Sequence, residues 1–172
     1  MLTLLLLRHA KSSWDDPALD DFDRSLNKRG TKSATAIGRY LAREKLAPDL
    51  VLCSSAVRTR ATLSLLLSEL PKGAPPVHYS QQLYLAAPDA ILEEIRRHAG
   101  SAARVMVVGH NPGMHALALS LAGDGERRAL SELAMKYPTA GLAVITFEAD
   151  DWSQIRAAGG RLERFVTPRG LP

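Results

Sequence analysis

A chain of 172 residues, 46% of them apolar, is long enough to bury a substantial core, and residues 1–172 are expected to form one domain. Its 22 basic and 18 acidic residues leave a formal charge of +4, a mild and well-mixed excess that suits an anionic substrate. It does not suit nucleic acid, because 5% aromatic residues leave little material for stacking bases.

The run Leu4 to Leu7 is too short for a membrane span, which needs about 20 apolar residues, and no basic stretch precedes it as in a signal peptide. It reads as a buried parallel strand that stops abruptly at Arg8 and His9. Trp14 to Asp23 is an irregular acidic loop, and its Asp pairs read as solvated. Asn27 can cap a helix running to about Lys45, with Ala34, Ile37 and Leu41 on one face. Pro48 closes that unit, and Asp49 to Cys53 is a second short strand. Cys53 is the single cysteine, so no internal disulfide forms; inside an apolar run it reads as an inert thiol in a reducing cytoplasm.

Ser54 to Arg60 leads into a helix with Leu63, Leu66, Leu67 and Leu70 on one side, and Pro71 to Pro76 is a turn. Val77 to Tyr84 is expected to be an extended edge segment. Pro88 suits the first turn of a helix with Ile91, Leu92, Ile95 and Ala99 as its apolar positions, and Gly100 ends it. Arg104 to Val108 is the clearest strand; it runs into Gly109-His110-Asn111-Pro112-Gly113 and a helix over 116–121. Gly123 to Arg128 reads as a charged loop, Gly141 to Phe147 as a strand, and Arg161 to Val166 as a last strand. Strands alternating with helices predict an α/β three-layer sandwich, a mostly parallel central sheet with helices on both faces.

Three strand ends thus deliver Arg8 with His9, Arg58 with Arg60, and His110 to one edge of the sheet, where open α/β folds bind ligands. A phosphoryl group in transfer spreads negative charge over its equatorial oxygens and needs fixed donors, which arginine supplies as a planar, permanently charged fork. A neutral histidine can attack phosphorus and leave again, so that one hard displacement becomes two easier ones. The remaining histidines read as ordinary: His78 beside a turn, His98 at a helix end, and His115 five residues after His110, which is not metal-pair spacing. No metal and no cofactor is expected.

Arg8-His9-Ala10-Lys11-Ser12, Ser55-Ala-Val-Arg58-Thr-Arg-Ala-Thr62 and Val108-Gly-His110-Asn-Pro112 together resemble, in the right order, the three signatures of the histidine phosphatase superfamily. The short chain and the Pro138-Thr-Ala-Gly141 stretch are most similar to its small phosphohistidine phosphatase (SixA-type) branch. The resemblance implies a phosphoglycerate mutase-like fold and a metal-independent phosphatase in which His9 becomes phosphorylated, with Arg8, Arg58 and His110 around the phosphate. Arg58 is preferred to Arg60 because Thr62 stands four positions after it, as in the family frame. Ser12 and Asn111 are candidate substrate-binding helpers. Ala10 stands where the wider superfamily most often has Gly, and Leu83 to Asp89 shows no counterpart of the mutases' proton-donor Glu, which leaves the general acid unassigned.

The expected partner is a phosphorylated protein, preferentially one carrying phosphohistidine, with no nucleic acid and no membrane involved. The alternatives are a broad small-molecule phosphomonoesterase or mutase-like phosphotransferase, and a non-catalytic phosphate-binding module.

Overall fold

In the computed structural model, which describes residues 1–71 and 73–171, the first strand β1 spans Leu2–Arg8. Every residue from Leu4 to Leu7 is fully buried because the two faces of the strand feed two different cores. Leu2, Leu4 and Leu6 join one cluster, Leu5 and Leu7 the other, as the period-2 alternation of a strand requires. This is why the run is continuously apolar rather than alternating.

The other elements follow in chain order: α1 Lys28–Arg43, β2 Leu50–Ser54, α2 Val57–Leu67, β3 Val77–Ser80 and α3 Pro88–His98. Then come β4 Arg104–Gly109, α4 Gly113–Leu121, β5 Ala122–Gly125, α5 Arg127–Met135, β6 Leu142–Phe147 and β7 Gly160–Val166. The seven strands form one sheet in the order β3-β2-β4-β1-β6-β7-β5. β1 pairs in parallel with β4, β4 with β2, and β2 with β3, while β6 runs antiparallel to both β1 and β7. Ala34, Ile37 and Leu41 of α1 and Leu63 and Leu66 of α2 pack on one face. Ile91 and Ile95 of α3, Leu117 and Leu121 of α4, and Leu133 of α5 pack on the other. The three-layer α/β sandwich expected from the alternation of elements is the observed one.

Asn27 caps α1 as expected, its Oδ1 accepting from the Gly30 amide at 2.8 Å. Gly30 has a second job: a Cβ there would stand 2.0 Å from the Lys11 carbonyl oxygen, so only glycine lets α1 start against the chain just after β1. Gly113 does the same for α4, where a Cβ would meet the Ala86 carbonyl oxygen at 1.9 Å.

Several expectations are corrected. Residues 123–128 are not all loop, since Ala122–Gly125 is an edge strand parallel to β7, with a bulge that breaks any alternation. α5 was missed, because Glu126, an uncommon cap, closes its first turn by accepting from the Arg128 and Ala129 amides, and only Ala129 and Leu133 are buried. The extended segment stops at Ser80 rather than Tyr84 and turns through one helical turn over Gln81–Leu83. α4 begins three residues earlier than expected. Of the turn over Pro71 to Pro76, Lys72 lies outside the described residues.

Candidate active site

β1, β2 and β4 end at the same edge, and the sheet fixes what they carry. Arg8 stands in register with Gly109, and the His9 amide donates to the Gly109 carbonyl at 3.0 Å, so His9 and His110 leave adjacent strands side by side. Their ring centroids are 5.3 Å apart. Arg58, in the first turn of α2, reaches between them. Its Nε donates to His9 Nε2 at 3.4 Å and its Nη2 lies 3.3 Å from His110 Nδ1. His9, Arg58 and His110 are all buried.

The hydrogen bonds assign the tautomers. Arginine only donates, so His9 Nε2 carries a lone pair, and the proton sits on Nδ1, which donates to the Ala10 carbonyl at 2.8 Å. By the same logic His110 Nδ1 accepts from Arg58 while its Nε2–H donates to Ser54 Oγ at 2.8 Å. Burial first, and then the charges of Arg58, Arg8 and Arg24, hold the His9 pKa down to about 4, although the Ala10 carbonyl pulls the other way. Burial, His9 and Arg58 bring His110 to about 3. Both rings are neutral at neutral pH, and His9 presents an unprotonated nitrogen beside a guanidinium.

Thr62 explains the spacing that marked out Arg58. One turn along α2, its hydroxyl donates to the Arg58 carbonyl at 2.7 Å and accepts from the Ala10 amide at 3.0 Å, tying the residue after His9 to the helix that carries Arg58. Arg60 points away and is exposed, its guanidinium 5.4 Å over the Tyr79 ring. Arg8 is half-buried, and its Nη1 donates to the Tyr137 carbonyl at 2.9 Å while its buried Nε has no partner among the described residues. Burial and the neighbouring Arg58 lower its pKa, so the two guanidiniums share a region that favours an anion.

Asn111 Nδ2 donates to the same Tyr137 carbonyl at 2.9 Å, and Ser12 Oγ accepts from Arg24 at 2.6 Å. Each side chain thus has one protein partner, while the buried Asn111 Oδ1 has no partner among the described residues. Cys53 is buried and its thiol is pushed up to about 12 by burial, as an inert thiol should be.

Three side chains in this cluster were not foreseen. Asp21 is exposed, as expected of a loop aspartate, but it is also paired: its Oδ2 pairs with Arg58 Nη2 at 2.9 Å and accepts from the Tyr84 hydroxyl at 2.5 Å, while its Oδ1 pairs with Arg24 at 3.0 Å. Its backbone carbonyl accepts from Arg58 Nη1 at 2.6 Å. Tyr84 first, then Arg24 and Arg58, hold the Asp21 carboxyl down at about 2. Arg24 is buried and lies 3.5 Å over the Trp14 ring. The signal was an acidic, aromatic loop directly following an Arg-His strand end, with Asp21 and Arg24 three apart. A groove of about 720 Å³ bordered by Tyr40, Met135, Phe165 and Leu171 contains none of these residues.

The depressed pKa of His9 carries a stability consequence. Its folded value lies below the unfolded value of about 6.5, so the unfolded chain takes up the proton first as pH falls and stability is lost from about pH 6.5 down to about pH 4. Between pH 7.5 and 4.5 wild type should lose about 2 kcal/mol more than His9→Ala. Thermal midpoints of both proteins at the two pH values check this, and equal losses refute it.

The fold and the cluster define an α/β protein that sets two guanidiniums beside a neutral imidazole with its unprotonated nitrogen toward them. A sequence profile of the histidine phosphatase superfamily, branch 1, matches residues 4–84. An uncharacterized protein of Mycobacterium tuberculosis is 38% identical over 165 residues, which is 95% of this chain and 100% of that one. Among solved structures, the chain superposes on a protein of Agrobacterium tumefaciens with a TM-score of 0.81 at 32% identity, over 97% of this chain and 98% of that one. For a protein of Nakamurella multipartitia the TM-score is 0.82 at 31% identity, over 97% and 96%. Both are provisionally described as the phosphohistidine phosphatase SixA. The chain belongs to the histidine phosphatase superfamily, in the SixA-type branch, and is a hydrolase of the phosphatase class with a phosphoglycerate mutase-like fold. Among the described residues no helix is long and apolar enough to cross a membrane.

Proposed function

We propose that the protein is a metal-independent phosphatase that works through a phosphohistidine at His9 and removes phosphate from phosphohistidine on a protein. The observation that carries this reading is the unprotonated Nε2 of His9, set by the Nδ1 hydrogen bond to Ala10 and engaged only by a long 3.4 Å contact from Arg58 Nε. Nε2 attacks phosphorus, the bond from phosphorus to the leaving atom breaks, and Arg8 and Arg58 neutralise the charge spreading over the equatorial oxygens. His110 begins neutral. A dianion entering the cluster raises its pKa, so the ring can gain a proton and donate to the phosphoryl group. Water then attacks phosphorus, the P–Nε2 bond breaks with its electron pair returning to Nε2, and the protons of the water stay on the orthophosphate or pass to solvent, so that His9 returns to its neutral Nδ1–H form. Ser12 and Asn111 steady the loop ends around the anion.

Phosphate release from an aryl phosphate, followed with and without chelator, tests the core of this reading. The rate should be the same in both. Loss of turnover on chelation, or no release at all, rejects it. Within the cluster, Arg58→Ala should lower turnover by roughly 10² to 10³, the cost of about 2 to 4 kcal/mol when a charged donor to the transition state is removed. The exposed Arg60→Ala should change stability and rate by no more than about 0.5 kcal/mol. Steady-state rates of the two variants decide, and equal losses would overturn the placement of Arg58.

A further inference from the structure

We propose that His78, Glu94 and His98 form a binding site for a divalent transition-metal ion of the zinc type, which pins the edge strand β3 to α3. One donor atom from each residue lies within 4.8 Å of the others. The sequence pattern explains the meeting. Glu94 and His98 are four apart on α3 and so share a face, and the alternation of β3 sends His78 and Ser80 to the same side. The imidazoles of His78 and His98 stack with centroids 4.0 Å apart.

Two features point to a cation rather than to ordinary packing. Glu94 is 5% exposed, and a buried carboxylate is costly unless its charge is met. Its one close partner is uncharged, with Ser80 Oγ donating at 2.7 Å, while Arg97 stands off at 4.0 Å with an exposed side chain and His98 Nε2 is 3.7 Å away. Meanwhile, among the described residues no hydrogen bond engages either half-buried ring, so lone pairs are free beside that carboxylate. Each imidazole has a lone pair to give to one shared ion.

The donor set selects the metal. Two imidazole nitrogens and one carboxylate oxygen suit zinc and its neighbours, whereas magnesium and calcium want oxygen throughout. Ligand bonds of about 2.0 to 2.2 Å imply donor spacings of about 3.5 Å, so rotations that bring the present donors about 1 Å closer complete the shell. A water would take the fourth position. Ser80, hydrogen-bonded to Glu94, acts from outside the shell to orient the carboxylate. None of these residues belongs to the strand-end cluster, so the ion acts on the β3–α3 junction and not on phosphorus.

The test uses chelator-stripped protein titrated with Co²⁺. Wild type should bind one equivalent with the visible absorption of low-coordinate Co²⁺, and Zn²⁺ should displace it. The His78→Ala/His98→Ala double variant should bind at least about 100-fold more weakly, and Ser80→Ala about 10-fold more weakly. Zn²⁺ should raise the thermal midpoint of wild type but not of the double variant, while metal-free wild type and metal-free double variant turn over an aryl phosphate equally. No Co²⁺ binding by wild type at micromolar protein, or binding that survives the double substitution, overturns the proposal. If the double variant fails to fold, X-ray absorption of the zinc-loaded His9→Ala protein decides. Two imidazoles and an oxygen in the shell support the site, and one imidazole or none refutes it.

Discussion

Replacing His9 by alanine should reduce turnover by roughly 10⁴-fold or more while leaving the fold intact, because the proposed path runs through a covalent bond to Nε2 that no neighbour can replace. The nearest candidate is His110, but in the proposed path that ring takes up a proton and donates to the phosphoryl group, so it has no lone pair to offer while substrate is bound. The fold should survive for two reasons. His9 lies just beyond the last residue of β1, and its backbone amide keeps its bond to Gly109 whatever the side chain. Moreover, removing a ring held neutral among three arginines takes away a source of acid lability rather than a support. Brief incubation with substrate and an alkaline quench should trap acid-labile phosphate on wild type and none on the variant. Substantial remaining turnover, or label on another residue, would show that the nucleophile lies elsewhere.

How much of this was legible beforehand differs between the sheet and the loops. β1, β2 and β4 are buried on both faces, so their composition reports their environment directly, and the polar residues that end them mark the site. The pairing of Arg58 with Thr62 was readable as a frame, but its cause was not. The Thr62 hydroxyl bridges to the Ala10 amide across 52 positions, and that closure exists only once β1 and α2 are packed. Asp21 shows the limit more sharply. As part of an acidic loop it looks like solvent-facing charge, and only the folded chain brings it against Arg24, Arg58 and Tyr84. β5 is a four-residue edge strand carrying a bulge, so it shows no alternation, and α5, though amphipathic, is only nine residues long and starts at Glu126, a cap that reads as loop charge.

The proposed preference for phosphohistidine rests on the state of the Asp21 carboxylate. Phosphohistidine on a peptide or protein should be hydrolysed faster per active site than phosphoserine, by roughly 10² to 10⁴, the range that general-acid catalysis spans. A seryl phosphate expels a strongly basic alkoxide and needs a proton delivered to the leaving oxygen. Asp21 is poorly suited to deliver it, since Tyr84, Arg24 and Arg58 hold its carboxyl at about 2, and at neutral pH it has no proton to give. Tyr84 is no better, because burial and the Asp21 carboxylate that its hydroxyl already serves both raise its pKa. A phosphoramidate avoids the difficulty: the P–N bond breaks to release an imidazole, a far weaker base than an alkoxide, which can carry its own proton away. The lack of a poised acid then costs little, and the two arginines supply what remains, charge neutralisation at phosphorus. Initial rates on a phosphohistidine peptide and a phosphoserine peptide of the same sequence, at equal enzyme concentration and neutral pH, measure the ratio. Comparable rates would mean that a proton donor is assembled on substrate binding, with Asp21 the first residue to test by Asp21→Asn. A clear preference for a small sugar or glycerate phosphate would reject the protein substrate.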